Sequence, residues 1–172
     1  MDRVIFALGT LALVLVLLGL FAWSWRGRQQ RQQNVQRPVP MPDGLEVPRF
    51  QALGQYVCTT TAGDWLDRIA VYGLGVKSNA TAAVFDEGVL LVRSGAPDVW
   101  IPREDLEGVR LERGMAGKFV EKEGLVIITW KLGSASVDTG FRNRTPEEKT
   151  PLVSAITELL PAEPSETSEE QL

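Results

Sequence analysis

The pattern of hydrophobic and polar positions divides the chain into four stretches. Residues 4–25 form one uncharged run, VIFALGTLALVLVLLGLFAWSW. At 1.5 Å per residue, roughly 20 such residues cross a bilayer core as a helix, the only form that satisfies the backbone in a single lipid-exposed pass. The run predicts a transmembrane helix, with Trp23 and Trp25 where an interfacial aromatic belt belongs. A cleaved signal peptide is the alternative. Against it stand a short charged start, an overlong apolar run and tryptophans crowding the one small-residue site. Residues 26–48, basic and then rich in Gln and Pro, show no apolar period and predict a semi-rigid linker. Residues 161–172 are acidic and poor in apolar side chains, which predicts a disordered tail.

Between residues 49 and 160 the apolar positions fall into period two or short runs. Residues 55–61 (QYVCTTT) read as a strand, and residues 80–85 and 89–93 as a hairpin around Asp86, Glu87 and Gly88. Residues 98–101 stop at Pro102, and residues 106–112 alternate with charges around Gly108. Residues 124–132 (GLVIITWKL) form the strongest strand and turn at Gly133 into residues 136–141. Residues 63–79 read as a long connection with a strand near 68–72. One helix follows. Thr145 with Pro146 gives one start, and Thr150 with Pro151 another. Leu152, Val153, Ile156, Leu159 and Leu160 recur at helical spacing, and Pro161 ends it. The expected fold is mainly β: about seven antiparallel strands in a barrel or sandwich, capped by the C-terminal helix.

Composition narrows the function. The formal net charge of −4 on a mixed surface argues against a nucleic-acid partner. The chain has no histidine, which removes the usual general base and metal ligand. Its one cysteine, Cys58, sits among threonines in a strand and reads as a small buried hydrophobe. Gly73 and Gly75 lack the rest of a dinucleotide fingerprint, and no Walker or EF-hand spacing occurs. The carboxylate pairs Asp64 with Asp67 and Glu104 with Asp105 read as solvated loop residues. No enzymatic activity, cofactor or metal is expected. Asn79-Ala80-Thr81 and Asn143-Arg144-Thr145 match the glycosylation pattern, irrelevant in a cytoplasmic domain.

Arg26, Arg28 and Arg31 follow the apolar run, and only Arg3 precedes it. That asymmetry predicts a cytoplasmic C-terminal domain. The same arginines are candidates for contact with anionic headgroups, although fixing topology accounts for them. Trp65, Asp67 and Arg68 are the candidate partner-binding residues, because Trp and Arg anchor interfaces. The competing assignment has Trp65 plugging the barrel and Arg68 pairing with Asp64 or Asp67. Trp100 and Trp130 are expected in the core.

The segments GDWLDRI (63–69), GVLLVR (88–93), WIP (100–102) and TWKLGSASVDTGFR (129–142), in this order behind an apolar anchor, resemble small actinobacterial single-pass membrane proteins with a bacterial PH-like domain. The resemblance implies the PH-like fold and a membrane tether, and it implies no established ligand site. Eukaryotic PH domains grip phosphoinositides with a basic early loop. Here the matching stretch holds Asp64 and Asp67 beside Arg68 and Lys77, a departure that argues against that ligand. The functional expectation is a membrane-tethered binding or adaptor module with a protein or peptide partner. The alternatives are an accessory subunit assembled through its membrane helix, where Gly9, Ala12 and Gly19 permit close packing, and an anionic-headgroup binder.

Overall fold

The structure, a computed structural model, describes residues 14, 16, 35–112, 114–115, 118–119 and 124–161. The chain divides into two units, Met1–Val35 and Gln36–Leu172. Of the first unit the described residues are Val14 and Val16, both helical and exposed, and Val35. The rest of the expected span at 4–25, Arg26, Arg28 and Arg31, and residues 162–172 lie outside the described residues. No helix among the described residues is long and apolar enough to cross a membrane.

The second unit is an antiparallel β fold. Its strands are β1 (Phe50–Thr61), β2 (Asp64–Arg68), β3 (Ser78–Phe85), β4 (Gly88–Arg93), β5 (Val99–Pro102), β6 (Leu106–Glu112), β7 (Gly114–Met115), β8 (Lys118–Phe119), β9 (Leu125–Leu132) and β10 (Ala135–Asn143). Seven of them run in the order β5-β4-β3-β1-β10-β9-β6, with β2 added on β1 and β7 paired with β8. The predicted strands are thus present, several longer than expected: β1 begins at Phe50, and β10 extends to Asn143. The expected strand near 68–72 is displaced. Residues 64–68 form β2, and Val71–Gly73 is a 3-10 turn in which Tyr72 takes the left-handed conformation at φ 55°.

β1 holds the fold together. Residues 50–56 pair with β3, Thr60 and Thr61 with β2, and residues 54–61 with β10 across a bulge between Tyr56 and Cys58. Gly54 permits a close approach between β1 and β10. A Cβ there would lie 2.2 Å from the Arg142 carbonyl oxygen and 2.6 Å from the Phe141 ring. The inner residues Tyr56, Leu91, Ile101, Ile128, Trp130 and Phe141 are fully buried, as the core role expected of Trp130 requires.

The helix α1 (Lys149–Thr157) packs against β1, β3 and β6 and buries Leu152 and Ile156. It starts at neither of the two expected positions. Thr145 precedes a 3-10 turn, Pro146–Glu148, and the α-helix begins at Lys149 with Pro151 in its first turn. Pro151 is tolerated there because first-turn N–H groups have no intrahelical partner. At the other end the helix stops at Thr157, before Pro161, and Arg103 Nε donates to the Leu159 carbonyl at 2.9 Å.

Residues 36–48, expected as a spacer, lie along the second unit. The Gln36 side chain meets Gly133, the Arg37 guanidinium stands 5.8 Å from the Tyr72 ring centroid, and residues 38–41 share a cavity wall with Leu90, Asp98 and Trp100. Leu45 packs on the cluster of Ala83, Phe85, Leu90 and Trp100. This strap covers the outer face of β3, β4 and β5 around Ala83, Phe85, Leu90 and Trp100, so both faces are buried there, while Val92 near the end of β4 stays exposed. That accounts for GVLLVR being a continuous apolar run instead of an alternating one.

Candidate functional site

Trp65, Asp67 and Arg68 all fall on β2, which follows β1 through the two-residue turn Ala62-Gly63. Gly63 takes φ +78°, a conformation that disfavours any residue with a Cβ. The turn is tied down at both residues. Ala62 N donates to the Ser136 carbonyl at 3.0 Å, and Gly63 N to Asp138 Oδ2 at 3.3 Å.

The pairing of β2 with β1 is interrupted. Thr61 faces Asp64 and Thr60 faces Arg68, so Trp65, Leu66 and Asp67 have no β1 residue opposite them. Extra residues on one strand bend it and re-aim its side chains. Here they form an arch in which Trp65 is 46% exposed and Leu66 61% exposed. Trp65 therefore does not plug the barrel; Trp130, with its indole N–H donating to Thr139 Oγ1 at 2.8 Å, sits in the core.

The arch is braced from inside. Leu66 N donates to Asp64 Oδ1 at 3.1 Å, and Thr61 Oγ1 donates to Asp67 Oδ2 at 2.8 Å. Ile69 N returns to the Thr59 carbonyl at 2.9 Å, and Arg68 reaches the Gly75 carbonyl at 3.5 Å. The predicted trio is thus brought together on one element, with Asp67 and Arg68 each held to the protein itself.

Two groups that sequence reasoning did not single out position this arch. Asp138, 5% exposed, accepts from both Nη atoms of Arg110 at 3.2 and 2.8 Å, from Thr129 Oγ1 at 2.7 Å and from Gly63 N. Burial opposes its ionisation, but the Arg110 fork and the Thr129 hydroxyl outweigh burial and hold the carboxyl below its usual range. Arg93 does similar work on the connection that follows. It donates to the carbonyls of Gly73, Val76 and Pro97 and lies 3.8 Å from the Tyr56 ring centroid. The Tyr56 hydroxyl, its ionisation pushed far up by burial, donates to the Leu74 carbonyl at 2.7 Å. The signal for both groups was weak: a charged residue within a strand, most of whose partners lie far off in sequence.

Cys58 is buried against Leu125 and Ile127. Glu104 and Asp105 belong to a 3-10 turn, Arg103–Asp105, and burial, then Glu104, raises the Asp105 carboxyl. Among the described residues no cluster of His, Cys, Asp and Glu suits a metal ion.

No curated protein matches the sequence. Among solved structures, a chain of the 8S snRNP assembly intermediate is similar at TM-score 0.46 and 8% identity, over 80% of this chain and 98% of that one. Vav1, in a complex with an allosteric inhibitor that blocks its GEF activity, is similar at TM-score 0.40 and 13% identity, over 83% of this chain and 34% of that one. Neither likeness bears on function. The model of the family described as bacterial PH domain-like matches residues 35–157, which takes in the strap, the β fold and all of α1. The chain belongs to the bacterial PH domain-like family.

Proposed function

We propose that this chain is a non-enzymatic, membrane-tethered binding or adaptor module whose PH-like domain recruits a protein or peptide on the cytoplasmic side. The observation that carries the binding reading is the β2 arch. A large apolar pair, Trp65 and Leu66, is held in solvent by a braced backbone. Holding such side chains exposed on a preordered segment lowers the entropy lost on association, and tryptophan is the residue most enriched at binding hot spots. The tether rests on the uncharged run at 4–25, and the orientation on Arg26, Arg28 and Arg31 beyond it. Confinement to a membrane raises the effective concentration of the domain for partners on the same surface.

Two measurements on the full chain in its own membranes test this. A photo-crosslinking residue at Leu66 is expected to give a discrete protein adduct. Trp65→Ala should abolish that adduct, and the same crosslinker at exposed Val92 should not produce it. Adducts at Leu66 indifferent to Trp65 would remove the arch as the binding element. A protease site after Leu172 is expected to be cut in inverted membranes and protected in intact cells; the reverse pattern would refute the cytoplasmic placement.

A further inference from the structure

A cavity of about 300 Å³ opens between the start of α1 and the junction of β1 with β10. It is lined by Gly54, Gln55, Gly124, Arg142, Asn143, Arg144, Pro146 and Lys149. Along β1 it lies about 20 Å from the turn that carries the Trp65 arch, at about 3.3 Å per residue, so the two regions are separate.

Asn143 is the unusual member. It is 8% exposed, and among the described residues neither its Oδ1 nor its Nδ2 has a hydrogen-bond partner. Its backbone pairs with Gly54, so the strand would form equally well with an apolar side chain there. Leaving a buried amide without partners costs stability, and native proteins keep very few such groups. Its burial also removes it as a glycan acceptor, the one role that the Asn143-Arg144-Thr145 pattern suggested. Among the described residues the lining supplies three cations, Arg142, Arg144 and Lys149, and no carboxylate. Glu147 and Glu148 belong to the adjacent turn and are not in the lining, although Glu148 Oε2 is itself buried without a partner among the described residues.

We propose that this cavity is a binding site for a protonated phosphate group, either inorganic phosphate or the monoanion of a phosphate monoester. Arginine and lysine recognise the charged oxygens. An amide side chain offers both donors and an acceptor, so it is satisfied only by a ligand that carries both. A phosphate with a P–O–H group does so: a charged oxygen accepts from Nδ2, and the P–O–H donates to Oδ1. Sulfate, fully ionised near neutral pH, has the same shape and lacks the donor. A phosphodiester lacks it too.

The test is ligand-dependent thermal stability and calorimetry on the full-length protein near pH 6, where a monoester is about half monoprotonated. Inorganic phosphate, glycerol 3-phosphate, dihexanoyl phosphatidic acid and sulfate are compared at equal ionic strength. Phosphate is expected to bind at least tenfold more tightly than sulfate and to raise Tm accordingly. Asn143→Leu is expected to erase that preference without lowering the Tm of the ligand-free protein. Arg144→Gln is expected to weaken phosphate and sulfate alike several-fold and leave their ratio unchanged. Binding confined to dihexanoyl phosphatidic acid would identify the source as a lipid headgroup; equal binding of all three phosphates would identify a soluble one. Equal affinity of the wild type for phosphate and sulfate reduces the site to a cationic patch and overturns the proposal. So does the absence of binding by every phosphate, and neither outcome depends on how the variants fold.

Discussion

Asp138 shows how one carboxylate positions a distant loop. It sits in β10, yet it accepts from the Gly63 amide in the β1–β2 turn as well as from Arg110 and Thr129. Asp138→Asn keeps the shape but removes the charge from these bonds. It should cost about 2 kcal/mol at neutral pH, since bonds to charged groups each contribute about 1.5–3 kcal/mol and the half-exposed Arg110 regains water. The folded carboxyl is held below its usual range, whereas an unfolded Asp titrates near about pH 3.9. The folded chain therefore binds fewer protons, and the stabilisation is complete above about pH 4 and lost as pH falls through the folded value. Thermal unfolding across that range should show wild type and Asp138→Asn converging in acid. If their separation persisted at low pH, the charge would not be the cause. Gly54→Ala, at the opposite junction, forces a Cβ onto the Arg142 carbonyl and should cost about 2–3 kcal/mol in denaturant unfolding.

At the scale of elements, the arch and the connection after it are held by side chains from other strands. Arg93 in β4 binds three carbonyls of the loops around it, and Tyr56 in β1 binds a fourth at Leu74. Arg93→Met should leave the sheet intact and release residues 69–77, because the carbonyls of Gly73, Val76 and Pro97 lose their shared donor. Hydrogen exchange is expected to speed up at Leu74 and Val76 well before β9 or β10 responds. Uniform acceleration would mean that Arg93 supports the whole domain. α1 behaves differently, because its tie is mainly apolar. Ile156→Ala should cost about 3 kcal/mol through the cavity it leaves among β1, β3 and β6.

On the scale of the whole molecule, the strap decides how much of the sheet is covered. Leu45 and residues 38–41 lie over a face that would otherwise expose Leu90, Phe85 and Trp100 together. Leu45→Ala should lower stability by about 1 kcal/mol, visible as a Tm lower by about 4 °C. Replacing residues 38–41 with glycine and serine should cost more and create dye-binding apolar surface. An unchanged Tm would return the strap to a spacer.

Much of the β fold was legible in the sequence. Period two, the turns at Asp86-Glu87 and Gly133, and the spacing of Leu152, Ile156 and Leu159 place the strands and the helix, because each reports a local choice between core and solvent. The candidate trio at Trp65, Asp67 and Arg68 was legible as an irregular, mixed segment. Its exposure was not, because nothing local distinguishes a tryptophan that plugs a barrel from one carried on an arch. That depended on a register break against β1, set by residues outside the segment. The strap was hidden for a related reason. A proline-rich stretch has no hydrophobic period, and only the doubly buried run of β4 hinted that something lay over it. Asn143 shared this limit: polar at a strand end by sequence, it is buried without a partner among the described residues only because β1, β10 and the start of α1 meet around it. Periodicity and turn residues thus determined most elements of this protein, β2 and the start of α1 excepted, and tertiary packing decided which polar groups are buried and which apolar ones remain in water. The reason is physical: burial is set by what arrives on the other side of a strand, and those neighbours come from far along the chain.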